Sequence, residues 1–398
     1  MRVGRTELAL TVAAVAALGF LLKQGCAPDG WGGSAANYYR LCYTDVGPLY
    51  YVRGFADGIV PYLQQYEGRY LEYPVLIGFW MWLVATAVNS VGLGGAGFVY
   101  LTWLTSLAFA VGAATLMLGL RGRGARAWWF ALSPALLLTL GINWDSLAVL
   151  AVVAAFYLWQ HSRFGWVGAA IGIGAAAKLF PALLLVPMLA LLVDRRQWRD
   201  ATRLVVGAAA AWLAVNLPVF LASPDGWWEF YRFSQSRGID FGSPWLALYY
   251  GAGVGVSTEQ ANLFGLVAVG VAVMLVWILR RRLDLFTASF LLIAVFTMVN
   301  KVYSPQFWLW LTPLAALAAV RLREFAIWQL AQLVYFVGIW RFLLHTTDPL
   351  AAGGIDERGY AAAIAVHLLA TASLVVVSVV RRVRSPRPEA SPSGSLQP

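Results

Sequence analysis

Apolar runs follow one another along almost the whole chain, and the turns between them are short and rich in arginine. A backbone buried in lipid must satisfy its own polar groups, so this pattern predicts a bundle of helices across a bilayer. After a first run, Leu8 to Leu22, others fall at about 98–120, 127–141, 146–160, 164–177, 179–193, 203–222, 262–279, 285–299, 306–320, 325–343 and 361–380, twelve in all. Several are near 15 residues, and a straight span wants roughly 20, so their ends must lean on neighbours or on a thinned bilayer. With 60% hydrophobic and 12% charged residues, no polar interval holds a soluble domain with its own core, the segment after the first run being the one exception to weigh. The expectation is an all-α polytopic membrane protein with one integral-membrane domain over 1–384 and a Pro/Ser-rich, disordered tail over 385–398.

The arginines orient the bundle. The net charge of +10 is carried largely by turn clusters such as Arg121/Arg123/Arg126, Arg195/Arg196/Arg199/Arg203 and Arg280/Arg281/Arg282. That placement speaks against nucleic acid and marks those turns as cytoplasmic. A thirteenth apolar run, Val75 to Val88, would invert every later cluster if it crossed. It is read instead as a helix in the outer interface, with Trp80 and Trp82 at headgroup depth. Then 19 of the 29 Lys/Arg are cytoplasmic and 13 of the 19 Asp/Glu are outside, so chemistry is sought in the long outer segments 23–97, 223–261 and 344–360. Both termini are cytoplasmic on this reading, and Leu8 to Leu22 is an uncleaved anchor, because Lys23 and Gln24 stand where small cleavage-site residues would be needed.

Polar residues recur at the outer ends of the spans. Asp45 is the candidate general base: an attacking sugar hydroxyl must lose its proton, and a carboxylate within reach can take it. Its structural alternative is a helix cap or a turn before Gly47-Pro48. Arg53, Lys178 and Lys301 are candidates for a leaving phosphate, with Lys178 between two apolar runs alternatively snorkelling to headgroups. Glu72, Asn143 and Asp145 have the chemistry to hydrogen-bond sugar hydroxyls, and Trp144 to stack on a ring; helix-start and capping roles compete for Glu72 and Asp145. The 19 tryptophans suit stacking and interfacial anchoring equally. Cys26 and Cys42 share the Asp45 segment; a disulfide there and two free thiols are both open, because spacing supplies no geometry. Three scattered histidines and no paired acidic motif give no metal site, and no nucleophile elbow or phosphate-cradling glycine loop is present.

Taken in order, Cys42-Tyr43-Thr44-Asp45, Leu49-Tyr50 with Arg53-Gly54, Leu71-Glu72-Tyr73-Pro74, Ser133-Pro134 with Ile142-Asn143-Trp144-Asp145, Ala177-Lys178-Leu179-Phe180-Pro181 and Lys301-Val302-Tyr303-Ser304-Pro305-Gln306 resemble glycosyltransferase family 87. The family comprises polyprenyl-phosphate-mannose-dependent mannosyltransferases of the GT-C superfamily. The resemblance implies a GT-C-like fold with interface helices in the first outer loop, and an inverting transfer of a hexose, here mannose, from a polyprenyl-phosphate donor to a glycolipid or lipoglycan acceptor. It implies action at the outer face of the plasma membrane, Asp45 as the first-loop acid, and Tyr303 and Gln306 beside Lys301 among the substrate-binding residues. Thr44-Asp45 replaces the acidic doublet of many superfamily members, which favours a reaction without metal or other cofactor. A pentose donor is the alternative within the class. A flippase or transporter of lipid-linked sugars is the alternative outside it, disfavoured by span interiors nearly free of charge and by halves that do not mirror each other.

Overall fold

A computed structural model describes residues 4–385, and the tail beyond Ser385 lies outside the described residues. The described residues form helices and connecting turns. The first long helix, α1 (Arg5–Lys23), is followed by a 3-10 turn and the short helices α2 (Ala35–Tyr39) and α3 (Val46–Val52). Next come α4 (Val75–Ser90), α5 (Gly94–Leu118), α6 (Ala127–Ala131), α7 (Pro134–Thr139), α8 (Ser146–Gln160), α9 (Phe164–Ala177) and α10 (Leu185–Asp194). The second half holds α11 (Trp198–Ala222), α12 (Pro224–Ser236), α13 (Pro244–Ala252), α14 (Thr258–Ile278), α15 (Leu285–Met298), α16 (Phe307–Leu317), α17 (Leu322–Thr347) and α18 (Glu357–Arg384).

Six helices, α1, α5, α11, α14, α17 and α18, are long and apolar enough to cross a bilayer, and shorter apolar helices fill the space between them. The apolar surface agrees with a lipid surround. On α14, Leu263, Leu266 and Val267 are 61%, 72% and 55% exposed, a continuous apolar face that water would penalise. The short helices α15 and α16 are buried along most of their length instead. The chain is thus an all-α polytopic membrane protein.

Close backbone contact holds part of the bundle together. Gly168 and Gly172 of α9 face the Leu204 and Ala208 carbonyls of α11, and Gly207 of α11 faces the Gly165 carbonyl; a Cβ at any of the three would collide with backbone. Small residues let helices approach where lipid supplies no hydrophobic drive.

Three elements depart from the run-by-run reading. The run at 127–141 is two helices, α6 and α7, because Ser133 accepts from the Leu136 N–H and caps a new helix at Pro134. The run at 179–193 opens as a 3-10 turn, Phe180–Leu184, before α10. The segment 223–261 contains α12 and α13, each begun by a capping serine followed by proline. Helix α4 remains tied to the polar segment after α1 at both ends. The Tyr62 hydroxyl donates to the Tyr73 and Pro74 carbonyls at its start, and the Tyr50 hydroxyl donates to Asn89 at its end.

Candidate functional site

The segment after α1 is folded against the bundle rather than left free. Cys26 and Cys42 form a disulfide with Cα atoms 5.8 Å apart, which closes the open alternative of two thiols. The Trp31 indole donates to the Lys23 carbonyl, and Lys23 Nζ reaches the Tyr43 carbonyl at 3.2 Å. Gly47 passes directly over the Gly30 carbonyl, where a side chain would not fit. These contacts fix the backbone on both sides of Asp45.

Asp45 stands at the start of α3 but its side chain caps nothing. Its backbone N–H donates to the Ile142 carbonyl at 3.0 Å, and its carboxylate accepts from Asn143 Nδ2 at 3.1 Å. The first segment is thereby fastened to the Ile142-Asn143-Trp144-Asp145 motif, and the free part of the carboxylate faces a cavity of about 770 Å³. Desolvation pushes the Asp45 carboxyl up from its ordinary value. The Asn143 hydrogen bond, the Tyr43 phenol and the Lys178 charge pull the other way, and Asp145 adds to the rise. An aspartate so placed holds a proton more readily than one in water while remaining a hydrogen-bond acceptor.

Asp145 is 1% exposed and also caps nothing. Its oxygens meet Lys178 Nζ at 3.1 Å and the Trp310 indole N–H at 2.8 Å. Lys178 therefore turns inward, over the Tyr73 ring at 5.5 Å, instead of snorkelling to the surface. A buried carboxylate paired with a cation at a cavity wall fixes the position of that cation. Asp145 itself does not line the cavity, and its contact with Lys178 is what connects it to the cavity wall.

The remaining candidates divide. Glu72, Asn143, Lys178, Lys301 and Gln306 line the cavity together with Asp45. Arg53 does not line it: its guanidinium makes a two-pronged pair with Glu72, Nε to Oε2 at 2.8 Å. Tyr303 is buried, with its hydroxyl on Gln332 at 2.8 Å, and serves the packing between α16, α17 and α18. Lys301 Nζ donates to the Ser234 and Gln235 carbonyls at the end of α12 at 3.2 and 3.1 Å. Trp144 is buried among Tyr73 and Phe98 and offers no face to a ligand.

Tyr43 lies in the motif that ends at Asp45, but other cavity residues had no sequence signal that singled them out. Tyr38, Tyr43 and Trp340 form an aromatic wall, with ring centroids 5.4 to 6.1 Å apart. The pair Arg237 and Asp240, 2.8 Å apart, sits where Asp240 N donates to the Lys301 carbonyl. The i, i+3 spacing of Arg237 and Asp240 was legible; their meeting with residue 301 was not. Among the described residues, no cluster of three or more His, Cys, Asp or Glu side chains has the geometry to hold a metal ion.

In this all-helical membrane protein one cavity is thus lined by three carboxylates, two lysines, an arginine and an aromatic wall. Residues 70–300 match the family model of glycosyltransferase family 87, and the chain belongs to that family. It is a membrane glycosyltransferase, and its helical architecture is consistent with the GT-C superfamily. No curated protein matches the chain. The family match covers Glu72, Asn143, Asp145 and Lys178 and begins after Asp45.

Proposed function

We propose that the protein transfers mannose from a polyprenyl-phosphate donor to a glycolipid or lipoglycan acceptor at the outer face of the plasma membrane, with inversion to an α-glycosidic bond. The observation that carries the reading is the Asp45 carboxylate, held by Asn143 on the wall of a cavity that also presents Lys178 and Lys301. Asp45 takes the proton of the acceptor hydroxyl as its oxygen bonds the anomeric carbon. The bond from that carbon to the phosphate oxygen breaks, and its electron pair leaves with the polyprenyl phosphate. Lys178, anchored by Asp145, and Lys301, anchored on α12, face the charge that grows there. Glu72, Asn143 and Gln306 orient sugar hydroxyls, and the Tyr38/Tyr43/Trp340 wall stacks on a ring. Arg53 acts through Glu72.

The outer-face assignment rests on the arginine clusters at the end of the molecule away from the cavity and on α4, tied at both ends to the cavity-side segment. Twelve crossings, cytoplasmic termini and a single domain over 1–384 belong to the same reading. The test is transfer of radiolabelled mannose from its polyprenyl phosphate to a membrane glycolipid extract by protein reconstituted in lipid. Wild type is expected to label a glycolipid and Asp45→Asn to bind donor without transfer. Equal labelling by both would remove Asp45 from the mechanism. Labelling only from a polyprenyl-phosphate pentose would replace the donor, and lipid movement without transfer would favour the flippase.

A further inference from the structure

The end of the bundle away from Asp45 carries a second cavity, of about 620 Å³, between the ends of α5, α8 and α10, the start of α15 and the end of α18. Helix α8 links the two sites: Asp145 precedes it and Gln160, at its last residue, lines the second cavity. Its 15 residues separate those ends by about 22 Å. Seven arginines and two aspartates line the second cavity, an excess of five positive charges.

The two carboxylates are already engaged. Asp284 is shared by Arg123 at 2.9 Å and Arg382 at 3.3 Å, and Asp194 by Arg281 at 2.6 Å and Arg280 at 3.4 Å. Arg121, Arg195 and Arg282 have no carboxylate partner among the described residues. A rule that merely puts arginines on one side of a membrane does not require five helix ends to converge them on one hollow. The wall is amphipathic as well: Phe156, Trp159 and Phe286 stand behind the guanidinium groups, with Arg123 over the Phe286 ring at 4.8 Å.

We infer that this cavity binds the phosphate headgroup of an anionic phospholipid, with Arg121, Arg195 and Arg282 as its ligands. Guanidinium forks match phosphate oxygens. Basic hollows between helix ends, at headgroup depth, suit lipid whose acyl chains run down the apolar flank. The site is separate from the transfer chemistry and does not depend on it.

The test is native mass spectrometry of the full chain, titrated with phosphatidylglycerol or with phosphatidylcholine of the same acyl chains, and separately with pyrophosphate. Phosphatidylglycerol is expected to bind in preference, and R121Q/R195Q/R282Q to weaken it about a hundredfold, roughly fivefold per arginine. The single substitutions give the same reading should the triple variant unfold. A control that removes equal charge at exposed arginines outside the cavity lining, R196Q/R199Q/R384Q, is expected to bind as wild type. Equal binding of the two lipids, an equal loss in the control, or unchanged binding by R121Q/R195Q/R282Q would overturn the inference. Arginine-dependent binding of pyrophosphate without binding of phosphatidylglycerol would assign the cavity to a soluble phosphate and overturn the lipid.

Discussion

At the scale of single residues, the site is built from pairs in which one member faces the cavity and the other holds it. Asn143 aims Asp45, Asp145 anchors Lys178, and Arg53 fastens Glu72. Asp45→Asn keeps the shape and removes the proposed base, so transfer is expected to fall about 10² to 10⁴-fold with donor binding retained, measured by single-turnover labelling. The pH dependence follows from the same carboxyl. A base acts only when ionised, and desolvation raises the pKa of Asp45. Activity is therefore lost as pH falls through that raised value, and the acid limb of kcat/KM should lie above the ordinary aspartate value of about 3.9. An acid limb at or below that value would dissociate the profile from Asp45. Asp145→Asn leaves the Lys178 ammonium without its buried partner. The expected cost is about 3 kcal/mol of stability, read as a lower thermal midpoint in detergent, together with reduced transfer.

At the scale of elements, Gly168→Leu should drive α9 from α11, because the new side chain meets the Leu204 carbonyl. A loss of about 1 to 3 kcal/mol is expected by thermal melting, whereas Gly165→Ala, whose Cβ enters open space, should melt as wild type or higher. Reduction of Cys26–Cys42, which closes a separation of 16 residues, should cost about 3 kcal/mol in the chain-entropy account and loosen the segment under Asp45. Retained transfer with an unchanged melting point after complete reduction would show that the Lys23, Trp31 and Ile142 contacts suffice without it.

The whole molecule has two chemically distinct ends, a cavity lined by both carboxylates and cations and one lined chiefly by arginines, joined by helices such as α8 and α15. Cysteines introduced at the exposed positions Gln65 and Arg199 should differ in labelling by an impermeant maleimide on intact cells. Gln65→Cys is expected to react directly and Arg199→Cys only after permeabilisation. The opposite pattern would invert the bundle and move the proposed transfer to the cytoplasmic face.

Much of this fold is legible in the sequence. Hydrophobicity along the chain is a local property, and lipid rewards it locally, so the runs mark most helices within a few residues, as at α8, α9 and α15. The Ser-Pro steps at 133, 223 and 243 were equally local signals, and they mark the starts that run-counting passed over. The candidate list was legible too, since a polar residue at a helix end in an apolar chain stands out by itself. What each candidate does was not. Asp45 and Asp145 look alike in sequence, each just ahead of a helix. One ends on a cavity and the other on a lysine and an indole, because Lys178 and Trp310 reach Asp145 from distant parts of the chain. A carboxylate's role is set by which charges and how much water surround it, and only the tertiary structure brings those neighbours within a few ångströms.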